Sequence, residues 1–142
     1  MKRLLYTREN LAVLLRQHGV HPTHQRIEIA HALFSLNAHL CADQVLAQVN
    51  LRHPETSRAT VYNTLNLFVR KGLIREVIAD PSRVFYDPNT HPHYHLYDSR
   101  TGRLTDIDAQ SIQITGLPAL PPGVVAEGVD VIVRVRSSDA AE

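Results

Sequence analysis

The chain has 142 residues, 44% of them hydrophobic, and a formal net charge of +1 at neutral pH. That length allows one ordinary domain or two small ones, and no apolar run approaches the ~20 residues of a membrane span, so no membrane partner is expected. The charge is split: residues 1–80 hold 10 Lys/Arg against 6 Asp/Glu and residues 81–142 hold 5 against 8, which suggests a polyanion partner for the front half and a cation for the back.

In chain order, Arg8, Glu9 and Asn10 interrupt any signal-peptide core. Residues 8–18 have helical period, with Leu11, Leu14 and Leu15 on one face and Gly19 as the stop. Pro22-Thr23 opens a second helix whose expected buried stripe is Ile27, Ala30, Leu33 and Phe34. Residues 37–40 read as a connection. Residues 42–50 form a third helix, with Val45, Leu46 and Val49 inward. Ser57 caps a fourth, which runs to Lys71 and stops at Gly72. Residues 73–79 and 83–87 read as strands around Asp80-Pro81-Ser82. The last three helices and this hairpin make a winged helix-turn-helix. Residues 93–97 and 103–107 pair around Ser99-Arg-Thr-Gly102, in a register that sets His95 opposite Asp106. Residues 112–114 read as a short strand and 129–135 as a strong β-branched one. Residues 117–123, with Pro118, Pro121 and Pro122, cannot be a regular helix throughout. The expected fold class is α+β: an N-terminal winged helix-turn-helix over residues 1–84, then a small α/β domain over 85–142.

The fourth helix carries the first functional signal. Val61, Leu65 and Phe68 share its inner face, which leaves Arg58, Tyr62, Asn63 and Asn66 outward near its start. Polar residues there are the ones a recognition helix uses to reach base edges in the major groove. Arg70, Lys71 and Arg75 suit phosphates, which position without specifying sequence.

The second signal is a row of histidines, His91, His93 and His95, at alternate positions. In a strand these share one face. Asp87 lies upstream, with Asp106 and Asp108 downstream. Imidazoles with carboxylates and no matching cysteines suit Fe(II), Mn(II) or Zn(II). His93, His95, Asp87 and Asp106 form the candidate first shell, and His39 could complete it. Pro92 distorts the backbone at His91, which leaves His91 and Asp108 as secondary metal or haem candidates. His18, His31 and His53, each isolated, read as structural histidines. Cys41, the single cysteine, reads as a small buried hydrophobe. It excludes an intramolecular disulfide framework and suits a reducing cytoplasm.

The runs His21-Pro-Thr-His-Gln-Arg26, Ala38-His39-Leu-Cys-Ala-Asp43, Ser57-Arg-Ala-Thr-Val-Tyr-Asn-Thr-Leu65 and His93-Tyr-His95 together resemble the ferric uptake regulator (Fur) superfamily over about residues 8–136. The resemblance implies a homodimer with N-terminal winged helices and a C-terminal α/β dimerisation domain. It puts the regulatory metal on His39, Asp87, His93, His95 and Asp106, one divalent ion (Fe2+, Mn2+ or Zn2+) per subunit. Aspartates at 87 and 106 look more like the peroxide-sensing PerR branch. Gly116–Gly123 with 129–136 looks like the iron-response branch, Irr. The family's Cys-x-x-Cys pairs are missing: Asp98 and Thr101 stand at the first, so a four-cysteine structural zinc is excluded. His21 replaces the basic residue that often enters the minor groove. The Cys-Pro haem motif of some relatives is absent too, although haem stays open as a signal.

The expected function is a metal-responsive DNA-binding transcriptional regulator, a repressor acting as a homodimer on palindromic operators of double-stranded DNA. Its signal is iron or manganese, with peroxide and haem as variants. Its DNA-contacting set is His21, Arg26, Arg58, Thr60, Tyr62, Asn63, Asn66 and Arg70. No catalytic residues are expected; the rival reading is a small mononuclear non-haem metalloenzyme built on the same His/Asp cluster.

Overall fold

The structure is a computed structural model, which describes residues 6–36 and 39–138. The expected connection at Asn37-Ala38 lies outside the described residues. The chain divides into two compact units, one through Thr90 and one from His91. The division falls past residue 84 because the strand over residues 83–87 pairs within the first unit.

In the front unit, α1 (Arg8–Gln17) starts at Thr7, whose Oγ1 accepts from the Asn10 amide at 3.0 Å. It ends at Gly19, whose φ of 74° is open to glycine without strain. Helix α2 (His24–Ser35) is capped by Thr23 in the same way. Its buried residues are Glu28, Ile29, Ala30 and Leu33, while Ile27 and Phe34 are only half-buried. The expected stripe was displaced because α2 packs against α1, α3 and α4 and so buries more than one face. Helix α3 (Ala42–Asn50) buries Val45 and Val49. Helix α4 (Arg58–Arg70) buries Val61, Thr64, Leu65 and Phe68, with Ser57 Oγ accepting from the Thr60 amide at 3.1 Å. The side chains of these helices form the unit's core with Leu73, Ile74 and Tyr86.

A three-stranded antiparallel sheet completes this unit, in the order β1 (Leu40–Cys41), β3 (Arg83–Asp87), β2 (Arg75–Asp80). The β2–β3 hairpin is the expected wing, and Asp80 Oδ1 closes its turn by accepting from the Ser82 amide and hydroxyl. The short β1 departs from the expected connection over residues 37–40, because Leu40 pairs with Tyr86 of β3. Cys41 is half-buried rather than buried, because it stands at the junction of β1 and α3.

The back unit is a sheet in the order β5 (Arg103–Asp108), β4 (His93–Asp98), β6 (Ile132–Val135). Strands β4 and β5 pair antiparallel in the expected register, with His95 opposite Asp106. Strand β6 lies parallel to β4. It is shorter than the expected 129–135 because pairing begins where the His95 amide donates to the Val131 carbonyl at 3.1 Å. Residues 112–114 form no strand, having no ladder partner. Alternate residues of β4 are buried: His93, His95 and Tyr97.

Candidate metal centre and nucleic-acid interface

The β4–β5 ladder builds a three-donor cluster. His93 and His95 share the buried face of β4, and Asp106 faces His95 from β5. The two imidazole side chains are 6% and 3% exposed, against 48% for Asp106. Asp106 Oδ1 lies 3.3 Å from His93 Nε2 and 3.6 Å from His95 Nε2. The His93 Nδ1 lies 2.6 Å from the His91 carbonyl. A carbonyl can only accept, so Nδ1 carries the hydrogen, and in the neutral ring Nε2 keeps its lone pair for a ligand. Such a backbone brace is a common support for a metal-binding imidazole. Two imidazole nitrogens and a carboxylate oxygen in convergence fit a borderline divalent ion.

The front unit holds a second set. His39 stands one residue before β1, whose register pairs Leu40 with Tyr86 and Cys41 with Phe85. Continued by one step, that register brings His39 opposite Asp87. His39 Nε2 lies 3.2 Å from Asp87 Oδ2, and Asp87 Oδ1 accepts from the Asn89 amide at 2.9 Å. The Asp87 side chain is 2% exposed.

The secondary candidates have other engagements. His91 is exposed and supplies the carbonyl that braces His93. Asp108 faces His93 in the register, yet its carboxylate accepts from the Gln110 amide and caps a 3-10 turn.

On α4, Arg58, Tyr62, Asn63, Asn66 and Arg70 are all exposed. Arg58 is held in place: it reaches Asp43 at 3.3 Å and the Tyr62 hydroxyl at 3.4 Å, with its guanidinium 5.4 Å from the Tyr62 ring centre. Thr60 is half-buried and its hydroxyl bonds Ser57, so it serves the helix start. His21 is exposed, and its carbonyl accepts from the Arg26 guanidinium at 3.0 Å.

Residues 17–117 match the ferric uptake regulator family. The chain belongs to the ferric uptake regulator family. Over 92 residues it is 36% identical to the peroxide-responsive repressor PerR of Staphylococcus epidermidis, a match covering 65% of this chain and 61% of that protein. The chain thus spans about 61% of the length of the curated relative it matches. Among solved structures it resembles the ferric uptake regulator of Helicobacter pylori, with a TM-score of 0.70 and 19% identity over 100% of this chain and 98% of that one. That protein is described as having three functional metal-binding sites. The Vibrio cholerae ferric uptake regulator gives a TM-score of 0.69 and 17% identity over 89% and 99% of the two chains. At these identities the structural likeness shows the shared fold.

Asp98 uses a single carboxylate oxygen to accept from the amides of Arg100, Thr101 and Ser137. Desolvation pushes its carboxyl up, but these amide hydrogen bonds outweigh that and hold it below the ordinary range. One side chain thereby links the β4–β5 turn to the segment after β6.

The front unit also gathers His24, Glu28 and His53, which the sequence reading left apart. The available signal was the one-turn spacing of His24 and Glu28 on α2. No sequence distance announces that His53 joins them. Glu28 is buried and accepts a two-pronged ion pair from Arg8, at 2.6 and 3.1 Å. The Arg8 hydrogen bond holds the Glu28 carboxyl below its usual range, against the opposing effect of burial.

Proposed function

We propose that the chain is a metal-responsive transcriptional repressor that binds double-stranded DNA as a homodimer. The observation that carries this reading is the convergence of His93 Nε2 and His95 Nε2 on Asp106 Oδ1, in a chain of this family. His93, His95 and Asp106 of the back unit, with His39 and Asp87 of the front unit, would hold one divalent ion per subunit. Joined, the two sets would give five protein donors, within the roughly four to six that such ions take. Iron, manganese and zinc all suit nitrogen and oxygen donors. Bound, the ion would supply a fixed positive charge that both donor sets share.

The chain's own residues do the rest. The His91 carbonyl would keep His93 Nε2 directed at the ion, and His39 Nε2 and Asp87 Oδ2, 3.2 Å apart, would both offer donor atoms to it. Tyr62, Asn63 and Asn66 read base edges, with Arg58 and Arg70 on the backbone. His21 and Arg26 around the start of α2, with Thr60 at the start of α4, complete the proposed DNA-binding set. A second copy of the chain would cover apolar side chains such as Leu117 (64% exposed), Val125 (85%) and those of edge strand β6. The twofold partner implies a palindromic operator, and a repressor of this kind works in the cytoplasm. The finer signal is peroxide, supported by the PerR relative and by aspartate at 87 and 106.

The test is binding of the full chain to its own promoter, with chelator and with Fe2+, Mn2+ or Zn2+. Metal should change affinity roughly 5- to 150-fold, a coupling of about 1–3 kcal/mol. His93→Ala should abolish the difference. Equal affinity of wild type and variant under both conditions would sink the reading.

A further inference from the structure

His24 and Glu28 lie one turn apart on α2, so both project from one side of the helix. His53 comes from the segment between α3 and α4, four residues before the Ser57 cap. One donor atom from each of the three lies within 4.8 Å of the others. His53 Nε2 lies 3.5 Å from Glu28 Oε2, and the His24 and His53 rings meet edge to face at 4.9 Å. Bonds of about 2.0–2.1 Å in a tetrahedral shell set donors roughly 3.3 Å apart, so only small movements would close the group.

Two further details favour a ligand over chance packing. First, His53 Nε2 is buried and has no hydrogen-bond partner, a condition that ordinarily needs an explanation. The other ring nitrogen, Nδ1, faces the Glu55 carboxylate at 3.5 Å. A carboxylate on Nδ1 favours hydrogen there and leaves the Nε2 lone pair pointing at Glu28, which is the arrangement of a supported metal-binding histidine. Second, Arg8 takes one lone pair on each Glu28 oxygen. An ionised carboxylate has about four such positions, so Glu28 can serve Arg8 and an ion together.

We propose that His24, Glu28 and His53 form a second divalent-metal site, separate from the regulatory ligands and contained in the front unit. Two imidazoles, one carboxylate and water in the exposed position beside His24 make a four-coordinate shell of the Zn2+ class. The site ties the start of α2 to the segment that leads into α4. It therefore braces the helix whose outer face carries Tyr62, Asn63 and Asn66.

The test uses the full chain and the metals alone. Zn2+ is titrated against a competing chromophoric chelator, and Co2+ is followed by visible absorption, which reports tetrahedral coordination. His24→Ala removes an exposed ligand and should leave the fold intact, as circular dichroism will show. It should bind one Zn2+ fewer per chain than wild type and lose one set of Co2+ bands. Glu55→Gln, which only removes the support for His53, should weaken that same ion roughly 10- to 100-fold. The Asp106→Ala chain should keep it. Identical stoichiometry and Co2+ spectra in wild type and His24→Ala overturn the proposal, and so does an Asp106→Ala background in which His24→Ala removes no further ion. DNA binding is not among the readouts, so the result stands apart from the regulator reading.

Discussion

His39 and Asp87 lie 48 positions apart in the chain, yet His39 Nε2 and Asp87 Oδ2 are 3.2 Å apart. The two-residue strand β1 sets up this contact, because its register with β3, continued by one step, brings His39 opposite Asp87. The buried carboxylate is already oriented by the Asn89 amide.

Replacing Asp87 with Ala should therefore harm both fold and ligand set. Loss of a buried acceptor leaves the Asn89 amide and His39 facing an apolar group, which costs about 1–3 kcal/mol. Chemical denaturation in chelator would read this directly. Metal affinity, measured separately, should fall as well.

Asn63→Ala and Arg70→Ala should differ in kind. On the proposed reading exposed Asn63 contacts a base, so its loss should cost about 1–3 kcal/mol on the promoter and relax discrimination against a scrambled site. On the same reading Arg70 contacts a phosphate. Its loss should weaken both DNAs alike and reduce the salt slope by about 1. Binding measured by anisotropy across a salt series separates the two.

Removal of Glu28 tests the Arg8 pair. In chelator, Glu28→Ala should destabilise the fold by about 1–3 kcal/mol. That is less than a fully buried pair would give, because the Arg8 side chain is 38% exposed. An unchanged denaturation midpoint would show the pair to be inert.

Asp98 predicts a pH dependence. Its carboxyl is held below the ordinary value of 3.8, so its contribution is complete above that value and is lost as pH falls through the folded one. Asp98→Asn should flatten the acid limb of the stability curve and leave the limb above neutral pH unchanged. Thermal melts from pH 7 downward would show it.

A peroxide signal predicts a covalent mark. After anaerobic iron loading and hydrogen peroxide, peptides carrying His39 or His93 should gain the mass of one oxygen. Unmodified peptides at full iron occupancy would leave metal itself as the signal.

Much of this was legible in the chain. Local rules placed the four helices, because Thr23, Ser57, Gly19 and Gly72 are strong start and stop signals. The β4–β5 register followed from a short loop and a period of two, so His95 opposite Asp106 could be read in advance. The buried face of α2 could not, since α2 packs against three neighbouring helices, burying Glu28 and Ile29, and no period within α2 encodes that. Neither could β1, whose two residues are too few to show a pattern.

The sequence by itself determined the types of element, the β4–β5 register and the outward face of α4. All of these depend on residues near one another in the chain or related by a fixed helical or strand period. Only the tertiary structure decided which distant side chains meet. Packing and ladder register set His39 on Asp87, gathered His53 to His24 and Glu28, and gave Asp98 the Ser137 amide. Those contacts join segments that no local repeat relates.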